Sequence, residues 1–277
     1  MTATSSPPIV LADTMQRRLD AASVEGALGV RVVAAGDGRV QLELPLPPLG
    51  SAGEHAAAVV LESALAVLCD CGLGLAFMER RGAGDGGITL DLRVDAVEQI
   101  QPRATHLVLV AQALHAGEEH GSGRAEVYDD HGRLVAHATG TMAISPSLPT
   151  LERGSGAPAR PHLDLATLFD GLEVRESVAR VPIGPETENT RGIVHGALLG
   201  AAGLAVSRAA GRRGPLLSFA VEFLRPVPAD VGELRATILP VRRGRRFVSD
   251  RVDLLLPDGR TAASVAMAFI RDGSQVC

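Results

Sequence analysis

Two stretches of this chain set polar, chemically capable residues in apolar surroundings. In residues 189–211 a polar turn containing Asn189 and Gly192 runs into Val194-His195-Gly196, and an almost uncharged Ala/Leu/Gly/Val segment follows. The pattern predicts a turn feeding a buried helix. With Gly196 in the first turn, its N–H is one of the helical donors that have no internal partner, and the positive end of the helix dipole lies behind it. Such a donor suits an oxyanion developing on a carbonyl under attack. Residues 56–78 are mostly Ala, Val and Leu, interrupted by Glu62 and Asp70. A carboxylate inside an apolar run carries a desolvation cost, so an acid there is a candidate for chemistry, with Asp70 ahead of Glu62.

Other chemistries find less support. Cys69, Cys71 and Cys277 make no ligand or redox spacing, and the spacing of His106, His115, His120, His131 and His137 suggests no metal site, so no metal is expected. Arg242, Arg243, Arg245 and Arg246 surround Gly244 in a predicted hairpin turn, where they could meet phosphates or simply be solvated. A net charge of −5, a basic complement made entirely of Arg and an aromatic content of 3% argue against nucleic acid. The N-terminus lacks a signal-peptide pattern and no run approaches 18 uninterrupted apolar residues, so a cytoplasmic protein with no membrane association is expected.

Around these residues the chain alternates helix and strand signals. A helix is predicted over 13–28 with Asp13 as a cap. Strands at 30–35 and 40–44 follow, joined by Gly36-Asp37-Gly38, and then the helix 56–78. After the Gly-rich loop RRGAGDGG, residues 88–97 alternate Ile88, Leu90, Leu92 and Val94 against Thr89, Asp91, Arg93 and Asp95, the signature of a half-buried strand. Strands over 105–114, 123–128 and 134–144 complete a first unit.

Residues 145–162, rich in Pro, Gly and Ser, read as a linker, and the same order then begins again. A short helix is predicted over 163–172 and a strand over 174–181, then the helix after His195 and strands over 218–227, 234–241, 247–256 and 261–270. One constant offset carries Gly117 onto Gly244, Gly132 onto Gly259 and, upstream, Leu90 onto Leu217. Two tandem copies of one module follow, 1–144 and 163–277, in an α+β arrangement.

A long buried helix followed by four strands, with N-x(5)-HG at the helix entrance and FLRPVPADVGEL then GRR beyond it, resembles the hotdog-fold acyl-CoA thioesterases, in particular the PaaI-like group. The resemblance implies a double hotdog, two tandem antiparallel sheets each wrapped around a long central helix, with an active site between the halves. It maps Asn189, His195 and Gly196 onto the helix-entrance motif, with Ala197 in place of its second glycine. The family acid falls nine residues after the histidine, which here is Leu204, so the second half has an entrance and no acid. The first half is the reverse: Asp70 matches the acid, and Thr89 falls at a Ser/Thr position, while Leu61-Glu62-Ser63 replaces the entrance.

One composite site is therefore expected from Asp70, Thr89, Asn189, His195 and Gly196, and the symmetry-related site should be dead. The implied reaction is hydrolysis of an acyl-CoA to free acid and CoA, with Asp70 as general base or as nucleophile and no cofactor beyond the coenzyme A of the substrate. Arg243, Arg245 and Arg246 would hold its phosphates. Each residue also has a plainer role open to it: His195 as a structural histidine, Asn189 as a turn residue, Thr89 as an ordinary strand residue. The competing functions are a non-catalytic acyl-CoA binding double hotdog and an acyl-thioester hydratase or dehydratase. Exposed sheet edges leave room for pairing into a homo-oligomer.

Overall fold

The computed structural model describes residues 8–50, 52–81, 87–144, 163–189 and 191–271. The loop residues 82–86, the linker 145–162 and Cys277 lie outside them. The first half runs α1 (Pro8–Ala21), α2 (Ser23–Ala27), β1 (Arg31–Gly36), β2 (Arg39–Pro45), α3 (Glu54–Arg81), β3 (Gly87–Ala96), β4 (His106–Ala116), β5 (His120–Asp129) and β6 (Leu134–Ile144). The second runs β7 (Val178–Pro182), a 3-10 turn (Pro185–Thr187), α4 (Gly196–Ala209), β8 (Leu216–Phe223), β9 (Glu233–Arg243), β10 (Phe247–Leu255) and β11 (Thr261–Ile270). Each half wraps antiparallel strands around its long helix, as expected of a hotdog. The two sheets are continuous: β3 of one pairs with β8 of the other, giving eleven strands in the order β1-β2-β4-β5-β6-β3-β8-β11-β10-β9-β7.

Three predicted elements come out differently. The single helix over 13–28 is two, broken at Ala22, and Asp13 lies inside α1 rather than capping it. Gly26 lets α2 fold back on the end of α1, since a Cβ there would stand 2.9 Å from the Leu19 carbonyl oxygen. Residues 163–172 make hydrogen-bonded turns instead of a helix, with the Asp164 side chain accepting the Ala166 N–H and Gly171 at positive φ. The strand expected from Val174 starts only at Val178, because Glu176 and Ser177 adopt φ of 51° and 64° in a tight turn.

The repeat is visible in hydrogen bonds. Gly117 and Gly244 each donate to the carbonyl three residues on, His120 and Phe247, and Gly132 and Gly259 each donate three residues back, to Asp129 and Leu256. The β3–β8 ladder is centred on Arg93 opposite Ala220, two positions related by the same offset as those glycines, so a pseudo-twofold axis passes through that pair. Small residues let the helices sit close to the sheet: a Cβ on Gly72 would meet Leu109 at 2.2 Å, and one on Gly203 would meet Val265 at 2.6 Å. The core is correspondingly aliphatic, Val, Leu and Ala from both faces around α3 and α4. α3 is long and apolar enough to cross a membrane by composition, yet its apolar stretch is mostly buried inside the protein.

Candidate active site

Asp70 lies midway along α3, 8% exposed, on the side that meets α4. Its Oδ1 accepts a hydrogen bond from the Thr89 hydroxyl at 2.7 Å. The simple alternation of β3 would turn Thr89 outward with Asp91 and Arg93. A β-bulge prevents this: the β3–β6 register slips between Thr89 and Asp91, Leu90 is extruded to 42% exposure, and Thr89 changes face. The same slip recurs in β8 at Leu217, the repeat counterpart of Leu90, where Leu216 takes the place of Thr89.

The second half supplies the opposite wall. His195 caps α4 in extended conformation, its Nδ1 accepting the Ala197 N–H at 3.2 Å. The entrance is held by His195 N–H to the Thr187 carbonyl and Val194 N–H to the Val227 carbonyl, both 2.8 Å. His195 Nδ1 stands 3.7 Å from Asp70 Oδ2, and a Cβ on Gly196 would lie 3.6 Å from the same oxygen and 3.2 Å from the Phe223 ring. Any larger side chain at 196 would therefore fill the space between the helix end and the acid. The Gly196 N–H has no backbone partner among the described residues. Asn189 Oδ1 accepts the Arg191 N–H at 2.8 Å and the Ile193 N–H at 3.4 Å, closing the turn that leads into α4.

Two further residues belong here. Glu25, carried on α2, puts Oε1 2.9 Å from His195 Nε2, so the histidine does have a carboxylate partner, 170 residues away in sequence. Nothing in the local pattern around Glu25 marks it; it is one acid in a short helix. Arg191, four residues before the cap, buries its Nη1 without a hydrogen-bond partner, and that burial pulls its pKa below the ordinary guanidinium value.

The electrostatics couple three groups. Burial raises the pKa of Asp70 above the usual carboxylate range, offset in part by His195 and by the Thr89 hydroxyl. Burial acts against a charged His195, yet Glu25 and Asp70 on either side outweigh it and push its pKa up to about 9. The Nδ1 lone pair that accepts the Ala197 N–H belongs to the neutral imidazole, so charging His195 gives up that cap bond, and protons are shared within this cluster rather than owned singly. A protonated His195 cannot be a general base. Asp70, the acid nearest the free helix N–H, can be.

Glu62, the rival acid, is engaged elsewhere. It faces the Arg208 guanidinium through two hydrogen bonds, Nε to Oε2 at 3.1 Å and Nη2 to Oε1. The Arg208 Nη1 binds the Arg212 and Gly214 carbonyls and its plane lies over Phe269. Among the arginines of the β9–β10 turn, Arg243 is bonded to Asp250 and to the Ser249 carbonyl, and Arg245 and Arg246 are exposed at the tip. Among the described residues no cluster of three or more His, Cys, Asp or Glu could hold a metal ion.

Sequence comparison matches residues 24–144 to the acyl-CoA thioesterase C-terminal domain and residues 185–272 to the acyl-CoA thioesterase N-terminal domain. The two halves thus stand in the reverse of the family's order. No curated protein matches the chain. Of the solved structures, a protein from Novosphingobium aromaticivorans assigned as a thioesterase is 17% identical, with a TM-score of 0.54 over 87% of this chain and 98% of its own. One from Lactobacillus plantarum assigned as an oleoyl thioesterase is 10% identical, with a TM-score of 0.58 over 84% of this chain and 96% of its own. At such identities they establish a shared fold. With both domains of the family matched across most of its length, the chain belongs to the acyl-CoA thioesterases, hotdog-fold hydrolases of thioesters.

Proposed function

We propose that the enzyme hydrolyses an acyl-CoA at a single composite site, with Asp70 and Thr89 from the first half and the start of α4 from the second. The observation that carries this reading is the buried Asp70 carboxylate, bonded by Thr89 and facing His195 and Gly196 across the junction between the halves. A thioester carbonyl placed against the Gly196 N–H would gain charge stabilisation as it becomes tetrahedral, from a donor already fixed in position. Asp70, its basicity raised by burial, takes a proton from the attacking water. On collapse of the intermediate the C–S bond breaks and the same proton passes to the departing sulfur. Charged His195, favoured by Glu25, works against the burial that raises the Asp70 pKa, and neutral His195 caps α4 through Nδ1. Arg191 is suited to an anionic group of the substrate, a CoA phosphate first, since a half-buried guanidinium without a partner gains most from one.

Thiol release from short, medium, long and aromatic acyl-CoAs, wild type beside Asp70→Asn, tests the site. Turnover unchanged in the variant sinks it. Arg191→Ala is expected to raise KM by roughly tenfold with kcat preserved, the loss of one charge-assisted contact of about 1.5 kcal/mol. An unchanged KM removes Arg191 from the substrate's path.

A further inference from the structure

The pseudo-twofold axis turns the reactive site onto a second place at the α3–α4 interface, and that place is not closed. With α4 aligned on α3 so that Leu204 stands for Asp70, Glu62 stands for Gly196 and Leu61 for His195, and the strand repeat puts Leu216 where Thr89 is. Every reacting group is gone. Here, however, lies a cavity of about 250 Å³, just below the roughly 300–1,000 Å³ usual for small-molecule sites. On the reactive side α2 lays Glu25 over the histidine.

The walls of this cavity are apolar along one length and cationic at one end. Leu61, Leu65, Ile100, Val135 and Leu216 line it, and its floor is the Glu62–Arg208 pair, in which the charges already cancel. His55, Arg212 and Arg213 also line it, together with Glu54 and Glu98. Arg212 is spent on Asp250, and Glu98 lies 3.9 Å from Arg133. Arg213 is exposed and has no ion pair among the described residues. The pKa of His55 is lowered by burial first and then by Arg213 and Arg208, which places both guanidinium groups within reach of it.

We infer that this cavity is a second, non-hydrolytic binding site for an amphipathic organic anion, an apolar chain lying between α3 and β8 with its anionic head at Arg213 and His55. Its existence does not depend on Asp70; only the preference for fatty-acyl ligands rests on the proposed function. A fatty acid and an acyl-CoA share this chemistry, and the test separates them.

Isothermal titration of the whole protein with decanoate, with a decanoyl-CoA thioether that cannot be hydrolysed, and with CoA alone counts the sites. The thioether is expected to bind twice per chain. Ala58→Trp, which places an indole in the cavity, should reduce that to one, and the exposed change Arg213→Glu should weaken one site by roughly tenfold while circular dichroism and acyl-CoA turnover stay at wild-type values. Decanoate filling the Ala58-sensitive site marks the ligand as a fatty acid, and binding of the thioether alone marks it as an acyl-CoA. One molecule per chain, insensitive to Ala58→Trp and Arg213→Glu, overturns the inference, as does a site that takes CoA as well as it takes the thioether. Loss of turnover in wild type with the Ala58-sensitive site intact would sink the hydrolytic reading and leave this one standing.

Discussion

Each side of the α3–α4 interface pairs a carboxylate from α3 with a basic residue from α4, and the two pairs do opposite things. On one side Asp70 and His195 stand 3.7 Å apart, with a hydroxyl, a free helix N–H and a glycine between the halves. On the other, Glu62 and Arg208 meet directly, and each nitrogen of the guanidinium is bonded to Glu62 or to a backbone carbonyl. Burial raises both carboxylate pKa values. On the proposed reading the difference lies in what the acid can still do: Asp70 Oδ2 stands 3.7 Å from His195 Nδ1, whereas both oxygens of Glu62 are bonded to one guanidinium. The proposed division of roles thus rests on geometry at similar burial.

The comparison breaks most readily at Asp70. Asp70→Asn is expected to lower kcat by about a hundredfold or more, the scale of a lost general base, while Glu62→Gln leaves kcat within about twofold; both are read by thiol release. Equal losses would erase the distinction between the sides. Next in size is the structural cost of the silent pair. Arg208→Met strands a buried carboxylate and should cost about 3–5 kcal/mol in urea unfolding, whereas Glu62→Met with Arg208→Leu should come out near neutral. A double variant as unstable as the single one would show that the pair contributes more than mutual cancellation.

Thr89→Val removes the only side-chain hydroxyl on Asp70 among the described residues and should lower kcat by roughly tenfold, a loss that Thr89→Ser recovers. Smallest is the pH response. Folding raises the pKa of His195 from 6.5 to about 9, so its stabilising contribution is complete below about pH 6.5 and disappears as pH rises through 9. Glu25→Gln removes one of the two carboxylates responsible, and NMR titration should place the His195 pKa about 1–3 units lower. An unmoved value would assign the shift to Asp70 alone. On the acid side, the raised pKa of Asp70 means that activity should fall at a pH above the ordinary aspartate range, as the base becomes protonated.

Much of this arrangement could be read from the chain. The shared offset of the pairs Gly117/Gly244 and Gly132/Gly259 reports the same hairpins made twice, and β6 and β11 lie where alternation put them. Asp70 announces itself as a charge in an apolar run. Thr89 was legible only through the resemblance, because its own alternation points the other way until the bulge at Leu90 is seen. The weaker elements, residues 13–28, 163–172 and 174–177, failed where one or two residues in extended backbone or at positive φ override local propensity.

The inverted order of the two domains has a simple physical basis. Halves related by a twofold through Arg93 and Ala220 present the same surface to each other, so either can come first without altering the junction.

The sequence by itself determined the two modules, their buried helices, the acid on the first and the capped entrance of the second, because helical and strand periodicity and cap chemistry are local properties. Only the tertiary structure decided that Glu25 would meet His195 across 170 residues, that Arg208 would pair with Glu62 across 146, and that a cavity would remain beside that pair. Those outcomes depend on which side chains the fold brings within about 3 Å of one another at low dielectric, where charges interact strongly, and sequence separation carries no record of that distance.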